Sequence, residues 1–298
     1  MIHHLNALTL TEKLRESLQD SGDGFPFAAV EANLAEYANN CASWHWHEFV
    51  ELAYVAEGAL ECATPGGTFT LSAGQGYFIN PNILHLHRMR GSAATLRVIE
   101  FMPSLLAGSG GLYARYVAPV ERCRGIEALM LSREKPLEGE ILDKLKELFD
   151  LAQREPKGFE LTIMEGLFHI WRAMVEITAP MLRRPGGDRD ASEDRIKSML
   201  TFIHTHYDEP LGVAAIAASA NISEREAYRC FRQVLGTTPT LYLLHHRIDR
   251  AARMLVETRM TVTQISLACG FSSPSYLCKV FHDLNGASPR AFRIAQGR

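Results

Sequence analysis

Val213-Ala-Ala-Ile-Ala-Ala-Ser-Ala-Asn-Ile-Ser223 and Val262-Thr-Gln-Ile-Ser-Leu-Ala-Cys-Gly-Phe-Ser272 are one pattern written twice, 49 residues apart. Val213, Ile216, Ala220, Asn221, Ile222 and Ser223 fall on Val262, Ile265, Cys269, Gly270, Phe271 and Ser272. One inserted residue then moves the offset to 50, and Ala227, Cys230, Phe231, Val234, Gly236, Pro239 and Tyr242 fall on Leu277, Val280, Phe281, Leu284, Gly286, Pro289 and Phe292. Apolar type, turn residues and helix ends repeat together, the mark of an internal duplication.

Each copy reads as a short helix, a tight turn and a second helix. Asn221 and Gly270 supply turn residues that accept a left-handed backbone, and Ser223 and Ser273 are N-caps. Glu226, three residues after Ser223, predicts a capping box, and Pro274 sits where a first helical turn accepts proline. Two short helices joined by so short a turn make a helix-turn-helix. In the second helices Ala227, Cys230, Phe231 and Val234 form a buried stripe at i, i+3, i+4 and i+7, repeated by Leu277, Val280, Phe281 and Leu284. Facing outward are Arg225, Tyr228, Arg229 and Arg232 in one copy and Ser275, Cys278, Lys279 and His282 in the other. Such groups pair with phosphates and guanine edges. A lone basic helix is usually a solvated face; the repeated spacing points to DNA instead. Between the copies, Pro239 to Glu257 reads as one helix with Leu241, Leu244, Ile248, Ala252 and Leu255 inward. Its length is about 28 Å at 1.5 Å per residue, close to a DNA turn of about 34 Å.

These residues carry a resemblance. The run Ile216-Ala217, Ile222-Ser223, Phe231, Gly236, Pro239, Tyr242-Leu243, Arg247, Ala251 and Leu255, continuing through Gly270-Phe271-Ser272-Ser273 and Ser288-Pro289 to Phe292, resembles the DNA-binding domain of the AraC/XylS family of bacterial transcription regulators. By position, the resemblance makes Arg225, Tyr228 and Arg229 the base-facing residues of the first motif. Pro274, Ser275, Cys278 and Lys279 are those of the second. Glu224 and Glu226 depart from a purely basic reading face, and Pro274 and Cys278 are poor hydrogen-bonding groups, so the first motif is expected to carry more direct readout.

The length of 298 residues allows two or three cored domains. A hydrophobic share of 47% and a charged share of 22% describe a soluble globular chain. Six cysteines without paired spacing and no twenty-residue apolar run point to the cytoplasm. From Asp190 onward 13 Lys and Arg stand against 10 Asp and Glu, whereas residues 1 to 189 carry 18 against 24. The basic balance therefore sits with the proposed DNA module.

Toward the N-terminus, residues 5 to 18 are expected to form an amphipathic helix. From Phe25 to Phe101 the pattern becomes β-rich, with strands expected at 25–30, 49–56, 59–63, 68–71, 76–79, 84–88 and 95–101. Glu57-Gly58, Pro65-Gly66-Gly67, Ala73-Gly74 and Asn80-Pro81-Asn82 supply the turns. Many short strands predict a jelly roll or small barrel. Strand alternation places His45, His47 and Glu51 on one face and His85 and His87 on another. The order of these residues, with Gly58, Gly76 and Pro81, resembles the two cupin motifs. In metal-binding cupins the matching positions, here His45, His47, Glu51 and His85, hold Fe, Mn, Ni or Zn. AraC-type sensor domains share the pattern while acting as ligand pockets, so an effector site of His45, His47, Glu51, His85, His87 and Trp46 stands beside the divalent-metal reading. Trp44, Phe49, Tyr54, Tyr77 and Phe78 are expected mainly in the core.

Beyond Phe101, residues 137–154 and 159–177 show helical periodicity. The resemblance favours their pairing a homodimer over packing within one chain. The expected architecture is α+β and multidomain: a cupin-like sensor (1–135), a helical connecting region (136–182), a linker (183–191) and an all-α double helix-turn-helix (192–298). Expected partners are promoter DNA, a small-molecule effector, a second copy and RNA polymerase, with no membrane. The alternatives are a metal-dependent cupin enzyme fused to a DNA-binding module, and a ligand-independent regulator whose β domain only dimerises.

Overall fold

The computed structural model describes residues 2–5, 14–18, 24–107, 110–123, 125–183 and 190–295. They form two compact units, the first holding residues 15–190 with the N-terminal strand and the second residues 191–295 with Leu14. Of the expected linker, residues 184–189 lie outside the described part.

The first unit is built on eight strands: β1 (Ile2–Leu5), β2 (Phe27–Asn33), β3 (Cys41–His45), β4 (Val50–Thr64), β5 (Gly67–Ser72), β6 (Gly76–Ile79), β7 (His85–Phe101) and β8 (Ala128–Leu131). They are hydrogen-bonded in the order β1-β2-β7-β4-β6-β8, with β3 also on β7 and β5 also on β4. The long strands β4 and β7 pair along nearly their whole length, with register shifts between Val55 and Glu57 and between Gly58 and Ala59. Ala53 and Val55 before the shifts share one core with Leu60, Cys62 and Leu71 beyond them, so the sheet folds over its own inner face. Alternation decides what enters that core. On β7, Leu96 and Val98 point into it, while Ile99 and Phe101 point out.

The outward apolar face is covered by two helices, α1 (Pro136–Arg154) and α2 (Phe159–Leu182). Ile141, Leu145, Leu148 and Phe149 of α1 and Leu167, Ile170, Trp171 and Met174 of α2 bury against Val50, Leu52, Phe78 and Phe101. Each large side chain so covered contributes about 1.5–3 kcal/mol. A Cβ on Gly166 would meet Leu148 Cδ2 at 2.5 Å, so glycine there lets α1 and α2 approach closely.

Four expectations need correction. Residues 14–18 are not helical: Leu14 has φ 59° and Arg15 bridges Trp46, while residues 6–13 lie outside the described part. Glu57-Gly58 is not a turn between two strands. It is an irregularity inside β4, with Gly58 at φ 73° and a Cβ position only 1.9 Å from the Ala93 carbonyl oxygen. For the same reason 84–88 and 95–101 are one strand, bent around Gly91 (φ 78°). Strands β1, β3 and β8 were not anticipated.

The second unit is helical: α3 (Asp190–His206), α4 (Val213–Ala218), α5 (Glu224–Leu235), α6 (Pro239–Glu257), α7 (Val262–Ala268), α8 (Pro274–Asn285) and α9 (Pro289–Ala295). Asn221 and Gly270 take positive φ, 55° and 70°, at the two inter-helix turns. Ser223 and Ser273 accept the backbone N–H three residues on, and Gly236 and Gly286 end α5 and α8 in the left-handed conformation. The capping box is absent at Ser223, because the Glu226 carboxylate is taken by arginines. It appears at Thr261 and Gln264 instead. Ala227, Cys230, Phe231, Leu277, Val280 and Phe281 are buried as expected. Val234 is half-buried, and Leu284 is 43% exposed. An i+7 residue in the last turn has rotated off the stripe by about 20°. Leu241 is 44% exposed, and Leu243 and Ala251 take inward places on α6.

Candidate functional site

His45 at the end of β3, His47 in the connection that follows, Glu51 on β4 and His85 on β7 converge inside the first unit. Pairing of β3 with β7 sets His45 opposite His85. All four are buried, and one potential ligand atom from each lies within 4.8 Å of the others. His45 Nδ1 is 2.8 Å from the Ser43 carbonyl oxygen, His47 Nδ1 2.9 Å from that of Phe49 and His85 Nδ1 2.8 Å from that of Ile83. A carbonyl only accepts, so each Nδ1 carries a proton and each ring turns its Nε2 inward. Metal-binding histidines are held in the same way. Yet His47 Nε2 lies 2.9 Å from Glu51 Oε2 and His85 Nε2 3.5 Å from it. Two acceptors at 2.9 Å need a proton or a cation between them. His85 Nε2 and His87 Nε2 are buried without a hydrogen-bond partner. The donor set of three imidazoles and one carboxylate fits a divalent transition metal.

Electrostatics follow from burial. It holds the His45 and His47 rings well below and below their usual range, and takes His87 down to about 3. On Glu51 burial pushes upward but is outweighed by the hydrogen bond to His47 and the nearby His85 and His87 rings, and the carboxyl stays well below the usual range. The Tyr77 hydroxyl donates to Glu51 Oε1 at 2.5 Å, and burial and Glu51 push the phenol up.

Beside the cluster is a cavity lined by Glu16, Tyr37, His45, Glu51, Tyr77, His87 and Glu100 with apolar side chains from β2 and β7. His45 Nε2 is 3.4 Å from Glu16 Oε2. Burial and then Glu51 raise Glu16 to about 8; burial and then Glu16 and Glu51 push Glu100 well above the carboxylate range. Sequence reasoning missed Glu16, Tyr37 and Glu100. Glu100 was visible as the third member of the inward series Leu96, Val98, Glu100; Glu16 was not, because only tertiary folding brings its segment to the pocket. Trp46 stands apart from the cavity, with the Arg15 guanidinium 5.9 Å from its ring. Phe49, Tyr77 and Phe78 are buried core residues, whereas Trp44 and Tyr54 are half-buried.

In the second unit Arg225, Tyr228, Arg229 and Arg232 of α5 and Ser275, Lys279 and His282 of α8 are exposed; Pro274 and Cys278 are half-buried. Arg229 is not free. Its Nε and Nη2 donate to Glu226 at 2.9 and 2.5 Å, and Arg195 of α3 reaches the same carboxylate at 3.2 Å. The arginines hold Glu226 below its usual range. All six cysteines are free, and no helix among the described residues is long and apolar enough to cross a membrane.

Residues 27–170 match the family model of the AraC-like ligand binding domain, and residues 216–295 match a helix-turn-helix domain. The HTH-type transcriptional regulator YdeC of Bacillus subtilis is 26% identical over 285 residues, 95% of this chain and 97% of its own. The HTH-type transcriptional activator RhaS of Escherichia fergusonii is 25% identical over 255 residues, covering 85% and 87%. The DNA-binding domain of AdpA, solved in complex with a target DNA, is 33% identical and matches 33% of this chain and 87% of that one, with a TM-score of 0.32. The chain is an AraC-family helix-turn-helix transcription regulator with an N-terminal AraC-like ligand-binding domain.

Proposed function

We propose that the second unit lays α5 and α8 in successive major grooves of promoter DNA, held apart by α6. Arg225, Tyr228, Arg229 and Arg232 read or anchor from α5, and Pro274, Ser275, Cys278 and Lys279 from α8. The observation that carries this reading is that the inward stripe of each helix is buried while the basic outer face is exposed. Its test is binding of labelled promoter duplex by Arg225→Ala and Lys279→Ala. A base-reading residue costs about 1–3 kcal/mol and relaxes preference at one position, whereas a phosphate contact weakens all sequences alike.

In the same reading, residues 1–135 are the sensor, 136–182 a helical connection, 183–191 a linker and 192–298 the DNA reader. A small molecule in the pocket, facing His45, His47, Glu51, His85 and His87, shifts the population of DNA-competent states. Screening a metabolite panel for altered DNA affinity tests this; no response from any member overturns it. The exposed Leu161 (78%) and Phe168 (40%) on α2 support a homodimer through that helix. Leu161→Glu should then shift sedimentation toward monomer. On the promoter the further partner is RNA polymerase.

A divalent transition metal is the second reading, favoured by the inward-facing Nε2 atoms and the orphaned His85 Nε2. His45, His47 and His85 would hold it through Nε2 and Glu51 through its carboxylate; when bound it supplies a Lewis-acidic ligand position. Metal analysis of the purified protein tests it, with stoichiometric metal lost in His47→Ala as the supporting result. Because the family is one of regulators, such a metal serves sensing or stability rather than turnover.

A further inference from the structure

Three carboxylates line the pocket, Glu16, Glu51 and Glu100, and its lining contains neither lysine nor arginine. Glu51 and Glu100 are direct partners across the β4–β7 ladder. Cross-strand partners lie about 4.5–5.5 Å apart at Cβ, where like charges oppose each other. The two acids are served very differently. Glu51 has His47 and the Tyr77 hydroxyl within hydrogen-bond distance, and Glu16 has His45 within 3.4 Å. Glu100 is 4% exposed and makes no hydrogen bond or ion pair among the described residues. A buried carboxyl without a partner is a costly arrangement that folded proteins seldom keep.

The metal reading leaves Glu100 unserved. The residues whose ligand atoms come together are His45, His47, Glu51 and His85, and neither Glu16 nor Glu100 belongs to that set. The acid that faces the cavity is therefore left without a partner group from the described residues.

We infer that the pocket takes a small organic cation, a primary ammonium or guanidinium group, seated against Glu100 with Glu16 alongside. The inference rests on the first unit being the effector-binding domain and names the chemical class of that effector. Ammonium and guanidinium groups are donors only, so they match a carboxylate with free lone pairs and form charge-assisted hydrogen bonds. The Tyr37 ring and hydroxyl add a surface that suits a cation. Val30, Leu34, Leu96 and Val98 form the apolar wall for a short alkyl portion. The cavity is narrow, about 30 Å³, so it suits a compact cationic head on a slim chain and excludes a bulky polyol.

The experiment uses the full-length protein, once stripped with EDTA and once supplied with zinc. Thermal melting and titration calorimetry compare n-butylammonium and n-butylguanidinium with 1-butanol and butyrate, which match in size but not in charge. The expected result is a rise in melting temperature with the two cations only, with and without zinc. Glu100→Gln should weaken cation binding about tenfold or more, the loss of one charge-assisted hydrogen bond. Because guanidinium is a poor metal ligand, its response separates Glu100 from any bound zinc. Should Glu100→Gln fail to fold, Glu16→Gln and the wild-type probe series carry the test. The inference is overturned if butanol or butyrate stabilises as well as the cations, if Glu100→Gln binds them like wild type, or if none of the four has an effect. The effector reading itself falls only if the metabolite panel leaves DNA affinity unchanged, so the two failures are distinguishable.

Discussion

Glu226→Gln should tighten DNA binding. Glu226 lies in the first turn of α5, the helix proposed to enter the groove, and its carboxylate occupies both Arg229, at 2.9 and 2.5 Å, and Arg195, at 3.2 Å. As built, the charge of Arg229 is largely spent within the protein. Replacing the carboxylate by an amide of the same shape releases one positive charge and removes one negative charge from the face that meets phosphate. With the charges this close in water, the gain is roughly fivefold at low salt. Each additional phosphate contact steepens the salt dependence by about 0.9 in the log–log slope. The fold should lose little stability from an exposed ion pair and an acid removed from a helix N-terminus. Fluorescence anisotropy on a labelled duplex over a salt series measures both quantities. Equal or weaker binding with an unchanged slope would refute the reasoning. It would mean that Glu226 orients Arg229 for reading rather than withholding it.

Gly58→Ala should destabilise the first unit by about 2 kcal/mol or more in denaturant melts, because a side chain at φ 73° meets the Ala93 carbonyl; a loss under about 1 kcal/mol would return Gly58 to an open turn. His204 is half-buried against His246 and Tyr242, and desolvation and then Arg250 and Arg253 lower its pKa from 6.5 to about 3. With the folded value below the unfolded one, its contribution is complete above pH 6.5 and is lost as pH falls toward 3. Between pH 7 and 5 that amounts to about 2 kcal/mol, and thermal melts in which His204→Phe shows the same loss as wild type would contradict it. Glu51→Gln removes the one carboxylate from the His45, His47, Glu51 and His85 donor set, and should abolish metal retention in elemental analysis while leaving DNA binding by the second unit in place.

Legibility in the sequence followed the range of the interactions. In the second unit, helix ends depend on local residues such as Ser223, Ser273, Gly236 and Gly286, and the 3.6-residue stripe is written in full, so element and face were readable together. The errors there, Leu241 and Leu284, lie at the margins of stripes, where burial depends on how far the partner helices extend. In the β unit, Gly58 and Gly91 look like turns in a linear reading, yet the structure uses their positive φ to bend two very long strands without breaking them. Strand β3 carries Cys41, Ala42 and Ser43, with no β-branched residue to announce it. The His45, His47, Glu51 and His85 set was legible because its spacing is stereotyped. The carboxylates that complete the pocket were not, since an acid on a strand normally reads as a solvent-facing position and Glu16 arrives from a distant segment.

The central claim is that the duplicated tail grips two neighbouring grooves of one duplex. Hydroxyl-radical footprinting of the full-length protein on its promoter tests it most directly. The account predicts that each bound protomer protects two segments about one helical turn, 10 base pairs, apart on a single face of the DNA, and that Lys279→Ala weakens the segment under α8 while sparing the one under α5. A single protected groove per protomer, or two segments on opposite faces of the duplex, would contradict it.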